Sequence, residues 1–196
     1  YFAAAEAAHK LEPTSESAAG CGSMSLKKGN YNDAIDYYKQ AIELVEDDPN
    51  SDEDDATRAD FQYRLAYVYM DRLHRYAEAR NYAQQCINTD PTQKGRGYII
   101  IGLCYAASQP YQTPDYPAAK AAILNKTVFW AAVDKFNKAK AVDASCTDDA
   151  NKLIATYSKY FPSKEELFDL PAEFGSGSFV VGGWINETTT VRAKKD

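Results

Sequence analysis

Small, apolar and aromatic residues recur along most of the chain every three or four positions, a period that predicts amphipathic helices. Three stretches carry a small residue, a second residue four positions later, and another small residue three positions after that: Ala34/Tyr38/Ala41, Ala79/Ala83/Cys86 and Ala132/Phe136/Ala139. The middle stretch lacks the aromatic residue but is followed by Pro91, which a helix does not pass. Residues 1–160 are therefore expected to form helices packed in antiparallel pairs.

A second pattern precedes these stretches and is clearest at Tyr98-x-x-Ile101-Gly102-x-x-Tyr105. Leu65-Ala66-x-x-Tyr69 fits it as well, and Gly22 lies twelve residues before Ala34. Together the two patterns resemble the tetratricopeptide repeat (TPR), in which small residues let paired helices approach to about 8–10 Å. The resemblance covers residues 1–160. It implies an all-α fold, a right-handed superhelix of about three helix pairs with flanking helices.

Two expansions interrupt this pattern. Residues 46–55 hold seven acids and one proline, which predicts a solvated loop; the central glycine and alternating ligands of an EF-hand calcium site are missing. Residues 108–117 form a loop rich in proline and tyrosine. It helps to place Gly102 and Ala132 thirty residues apart, where a plain repeat has about twelve. Pro117 predicts the start of a helix that continues to about Val142.

The segment 161–196 differs in composition and is expected to be a separate tail. A short helix at Lys164–Leu170 is followed by two β-prone runs around Gly182-Gly183, which predict a hairpin with Trp184 as its anchor. Tyr160–Glu166 and Val181–Arg192 resemble the tail of uncharacterised exported TPR proteins of anaerobic Gram-negative bacteria. That resemblance implies a periplasmic or cell-envelope location and no particular activity.

In the TPR family, first-helix positions line a groove that binds partners. Transferred by their offset from Gly22, Ala66 and Gly102, these positions are Ala19, Ser23, Leu26, Tyr63, Tyr67, Met70, Ile99, Leu103 and Ala106. The Lys, Arg and Asn residues with which some TPR domains clamp a peptide C-terminus are absent from this set. An apolar and aromatic groove suits an amphipathic helix, an extended apolar segment or the chain's own tail, although the same residues could simply pack.

Composition narrows the function further. The net charge of −6 argues against nucleic acid, and no apolar run reaches the roughly 20 residues of a membrane-spanning helix. No motif indicates a cofactor, a metal or a catalytic residue. A nucleophile at Cys21 would need an orienting histidine, and only His9 and His74 exist. The wide spacing of Cys21, Cys86, Cys104 and Cys146 leaves buried thiols and a disulfide both open.

The TPR resemblance therefore implies a non-catalytic scaffold that binds a protein or peptide. Two alternatives stay open: a structural segment of a larger envelope assembly whose groove is filled by its own tail, and a non-catalytic part of an enzyme complex. Because Tyr1 leads directly into a helical run, the chain is expected to be the C-terminal part of a longer exported bacterial protein.

Overall fold

The computed structural model describes residues 1–46 and 52–196. These residues are mostly helical, with a two-stranded antiparallel sheet near the C-terminal end, so the predicted all-α fold with a terminal hairpin is confirmed. The chain divides into two compact units, Tyr1–Ile100 and Ile101–Asp196.

The first unit is built from helices that pack on their neighbours in sequence. Its elements are α1 (Phe2–Leu11), α2 (Ser15–Lys27), α3 (Tyr31–Leu44), α4 (Asp52–Tyr67), a π-helical turn (Val68–Arg72), α5 (Tyr76–Thr89), a 3-10 turn (Pro91–Gln93) and the start of α6 (Lys94–Ala106). Thr14 caps α2 through a reciprocal pair of hydrogen bonds with Ser17, and Gly29 follows α2 with φ of 78°. α2 packs against α3, and α4 packs against α5.

The predicted acidic loop at 46–55 is wrong in its second half. Residues 47–51, on which the calcium interpretation also depends, lie outside the described residues. From residue 52 onward the chain is already helical, whereas the loop was expected to continue to residue 55. Acidic side chains such as Glu53 and Asp54 interact favourably with the positive end of the helix dipole, so an acidic run can begin a helix as readily as a loop.

The second unit continues α6 and adds shorter helices and the sheet. Its elements are α7 (Ala118–Asn125), α8 (Val128–Val142), a 3-10 turn (Ala144–Cys146), α9 (Thr147–Tyr157), a 3-10 turn (Ser158–Tyr160), α10 (Lys164–Asp169), α11 (Pro171–Phe174), β1 (Ser178–Val181) and β2 (Glu187–Thr190).

The single helix predicted from Pro117 to Val142 is wrong, because the chain breaks between α7 and α8. The Asn125 side chain accepts a hydrogen bond from the backbone N–H of Tyr111 at 2.9 Å and donates one to its carbonyl at 2.7 Å. Thr127 donates its hydroxyl to the carbonyl of Leu124 at 2.6 Å. Side chains that bond to the backbone in this way compete with the helical ladder.

A glycine faces an aromatic ring where paired helices cross. A Cβ on Gly102 of α6 would lie 2.6 Å from the Phe136 ring of α8 and 3.0 Å from the carbonyl oxygen of Ala132. At the corresponding place in α2, a Cβ on Gly22 would lie 3.2 Å from the Tyr38 ring of α3. A Cβ at Gly102 would force its neighbours to shift, and one at Gly22 would press more mildly on the Tyr38 ring.

The hairpin pairs Phe179 with Thr189 and Val181 with Glu187. β2 begins at Glu187, so the loop that joins the strands is longer than the Gly182-Gly183 pair around which the hairpin was predicted. That loop lies close to the Pro/Tyr loop: the N–H of Gly182 donates to the Tyr111 hydroxyl at 2.7 Å, and a Cβ on Gly183 would lie 2.8 Å from Pro110.

The hairpin is fastened to α8. The fully buried Trp130 donates its indole N–H to the carbonyl of Arg192 at 2.8 Å. Arg192 in turn donates to a carboxylate oxygen of Asp134 at 2.8 Å, and Thr189 donates to the other at 2.5 Å. Trp184, the predicted anchor, is half-buried, with its ring 5.5 Å from that of Tyr105. Trp130 therefore holds the tail from the helical side.

Alanine at Gly102 should destabilise the protein by about 1–3 kcal/mol, because its Cβ would overlap the Phe136 ring and the Ala132 carbonyl. Gly20 is the matched control: it is exposed on α2, with nothing within 4 Å of a Cβ. Gly20→Ala should stabilise by about 0.5–1 kcal/mol through helix propensity. Urea unfolding measures both changes, and the same sign for the two variants would contradict the predicted crossing.

Trp130→Phe should lower the free energy of unfolding by about 2–3 kcal/mol, because it leaves a cavity at a fully buried position and removes the donor to the Arg192 carbonyl. Trp184→Phe makes the same exchange at a half-buried ring and should cost about 1 kcal/mol or less. Thermal unfolding of the two variants compares them. A larger loss of stability for Trp184→Phe than for Trp130→Phe would show that Trp184 is the main anchor of the tail.

Candidate functional site

Four of the predicted groove residues, from α2 and α4, surround one surface pocket of about 390 Å³. This repeat pocket is lined by Ser23, Leu26, Lys27, Tyr38, Tyr63, Arg64 and Tyr67. Ser23, Leu26, Tyr63 and Tyr67 were expected to share a surface, and the structure brings them together.

The floor of the repeat pocket is polar and fixed by helix packing. Tyr38 of α3 is almost fully buried, and its hydroxyl is hydrogen-bonded to the Ser23 hydroxyl at 3.0 Å. The ring reaches this place because Gly22 leaves room for it on α2. A pair of hydroxyl groups at the base can therefore meet a polar group of a ligand.

The walls of the repeat pocket are aromatic. Tyr63 is half-buried, and burial raises the pKa of its phenol, so it is neutral in the physiological range. The guanidinium of Arg96 lies 4.1 Å from the centre of the Tyr63 ring, a cation–π contact that fixes the ring. Tyr67 is 37% exposed and lines the pocket on the side that is open to solvent.

The rim of the repeat pocket is cationic. Arg64 donates to a carboxylate oxygen of Asp60 at 2.8 Å, and Arg96 donates to the other oxygen at 3.1 Å. Burial acts to lower the pKa of Arg64, but the Asp60 carboxylate and hydrogen bonds to Asp60 and Tyr38 outweigh it and raise that pKa. Lys27 is exposed beside Leu26. Because the single carboxylate of Asp60 pairs with both Arg64 and Arg96, the net charge around the rim is positive.

The other predicted groove residues do not line the repeat pocket. Ala19 is buried with 7% exposure, so it packs between helices. Met70 lies in the π-helical turn Val68–Arg72, whose wider spacing breaks the α-helical offset used to place it. Ile99, Leu103 and Ala106 are half-buried along α6, and their part in binding stays a prediction.

Three lining residues were missed from the sequence. Lys27 and Arg64 each follow a predicted groove residue directly, so a signal was present in their position beside Leu26 and Tyr63. Tyr38 belongs to the second-helix pattern, which predicts packing alone. It contributes its ring to the helix crossing and its hydroxyl to the pocket.

The surroundings of Cys21 disfavour a nucleophile. Cys21 is 1% exposed, and burial together with Glu6 raises the pKa of its thiol, the opposite of what a reactive cysteine needs. His9 is hydrogen-bonded to Ser17 at 2.6 Å and to Gln40 at 3.0 Å. All four cysteines are free thiols, and only Cys146 is not buried.

Residues 1–46 and 52–196 contain neither a candidate metal cluster nor a candidate membrane-spanning helix. Within these ranges no three His, Cys, Asp or Glu side chains are grouped so that they could hold a metal ion. Nor does any helix in the described part of the chain have the length and apolar character needed to cross a membrane.

Comparison with known families identifies the part of the chain that forms the repeat pocket. Residues 17–51 match a family model described as tetratricopeptide repeat, and residues 59–93 match a second model of the same description. The comparison with curated proteins gave no match. All residues that line the repeat pocket fall within the two matched ranges. Residues 17–51 and 59–93 are therefore two repeats of the tetratricopeptide repeat family.

Proposed function

We propose that this chain is a non-catalytic scaffold that binds a segment of a partner protein through the repeat pocket. Tetratricopeptide repeats indicate protein–protein interaction, and the observation that carries the proposal is the shared pocket. Side chains from two successive repeats, among them Leu26 and Tyr67, converge on one concave surface of about 390 Å³. That volume suits one large side chain of a ligand with its neighbours.

The chemistry of the repeat pocket defines the partner segment. Leu26, Tyr63 and Tyr67 offer apolar contact area, and aromatic rings of this kind dominate binding at interfaces. Lys27 and Arg64 add positive charge at the rim, and none of the described residues that line the pocket is acidic. The partner segment therefore carries an aromatic or large aliphatic side chain flanked by carboxylates.

The proposed setting is the bacterial envelope, with this chain as the C-terminal part of a longer exported protein. The resemblance of Tyr160–Glu166 and Val181–Arg192 to the tails of exported TPR proteins supports this setting. Fractionation of cells that carry the tagged full-length protein tests it, and recovery in the cytosolic fraction would count against an envelope location.

A selection from a random peptide library on the immobilised chain should enrich apolar residues next to acidic ones. For an enriched peptide, Tyr67→Ala should weaken binding by about tenfold or more, the loss typical of an aromatic hot spot. Isothermal titration calorimetry measures the change in Kd.

Tyr160→Ala provides the matched control, because Tyr160 is 54% exposed and lies outside the matched repeats. It should leave the Kd of the enriched peptide unchanged. Equal losses for Tyr67→Ala and Tyr160→Ala, or enriched peptides without an apolar residue, would refute the repeat pocket as the binding surface.

A further inference from the structure

A second pocket, of about 390 Å³, lies in the second unit where the C-terminal residues pass over α8. This basic pocket is lined by Val133, Ser158, Lys159, Phe161, Arg192, Ala193, Lys194 and Lys195. Four of these eight described residues are Lys or Arg, and none of the eight is acidic. In a chain whose net charge is −6, this is a local reversal of sign.

The backbone fixes the shape of the basic pocket. The N–H of Lys194 donates to the carbonyl of Pro162 at 2.8 Å, and the indole N–H of Trp130 donates to the carbonyl of Arg192 at 2.8 Å. These two bonds hold residues 192–195 across Phe161 and Val133, which form an apolar floor with 8% and 3% exposure. The pocket is therefore preorganised, which reduces the entropy lost when a ligand binds.

The positive charges differ in how far they are neutralised. Arg192 is paired with Asp134 at 2.8 Å, and its guanidinium lies 5.1 Å from the centre of the Phe161 ring, so it serves the fold. Outside the lining, Lys164 and Asp196 approach to 3.6 Å. Within the described ranges no ion pair or side-chain hydrogen bond involves the ammonium groups of Lys159, Lys194 and Lys195. Three exposed cations thus surround an apolar floor.

We propose that the basic pocket binds an acidic peptide segment in which glutamate or aspartate alternates with aliphatic residues. An aliphatic side chain lies on Val133 and Phe161, while neighbouring carboxylates meet the ammonium groups of the rim lysines. A concave site of this size with an apolar floor favours a side chain that enters it over a flat charged surface such as a membrane. None of its residues belongs to the repeat pocket, so this proposal stands apart from the proposed function.

The probe is a fluorescein-labelled hexapeptide of alternating glutamate and leucine, titrated with the whole chain and followed by fluorescence anisotropy. Two matched peptides separate the contributions: glutamine replaces glutamate in one, and serine replaces leucine in the other. Both should bind about tenfold more weakly than the parent, because each lacks either the carboxylates or the apolar contact. A serine peptide that binds as well as the parent would reduce the site to charge attraction and overturn the proposal.

The combined substitution Lys159→Gln, Lys194→Gln and Lys195→Gln should weaken the parent peptide by about tenfold. The control Lys10→Gln, Lys94→Gln and Lys152→Gln removes the same charge elsewhere and should leave binding unchanged. Tyr67→Ala should also leave it unchanged, which separates this site from the repeat pocket. Equal losses in both triple variants would overturn the proposal. The proposal would also be overturned if the unmodified chain did not bind the peptide but bound phosphatidylserine vesicles tightly, and if the first triple variant lost that vesicle binding.

Discussion

The close crossing of paired helices, with a glycine on one helix against an aromatic ring on the next, is the constraint from which the rest of the structure follows. Gly22 against Tyr38 and Gly102 against Phe136 are two cases of one arrangement. Because α2 and α3 approach so closely, the Tyr38 hydroxyl reaches Ser23 and closes the floor of the repeat pocket. Interiors are packed too densely to absorb an extra methyl group at such a crossing without a shift. One packing requirement thus sets both the fold and the site.

Much of the fold could be predicted from the sequence because its signals are local or periodic. The Thr14 cap and the Gly29 stop follow from residue type, and the pairing of the helices that carry Gly102 and Ala132 follows from the repeat pattern despite the long insertion. The break between α7 and α8 could not be predicted in this way. It depends on Asn125 meeting the backbone of Tyr111, fourteen residues away, and no period in the sequence records such a contact.

The candidate site, like the fold, could be predicted where its residues follow the helical period. Offsets along a regular α-helix placed Ser23, Leu26, Tyr63 and Tyr67 around one pocket. The offset failed at Met70, where the helix turns from α to π. The cationic rim was missed because Lys27 and Arg64 lie outside the positions transferred from the family. Helix offsets repeat along the chain and can be predicted from sequence, but the charged residues beside these positions do not follow the repeat.

The Pro/Tyr loop and the tail pack directly against each other. Asn125 holds the backbone of Tyr111, the Tyr111 hydroxyl accepts the N–H of Gly182, and Gly183 fits against Pro110 only because it has no side chain. Tyr111 and Gly182 lie 71 residues apart in the sequence. The Pro/Tyr loop nevertheless supplies a surface on which the tail packs, and the tail does the same for the loop. They are therefore a single transferable module, and a designer who moved either one to another repeat protein would have to move both.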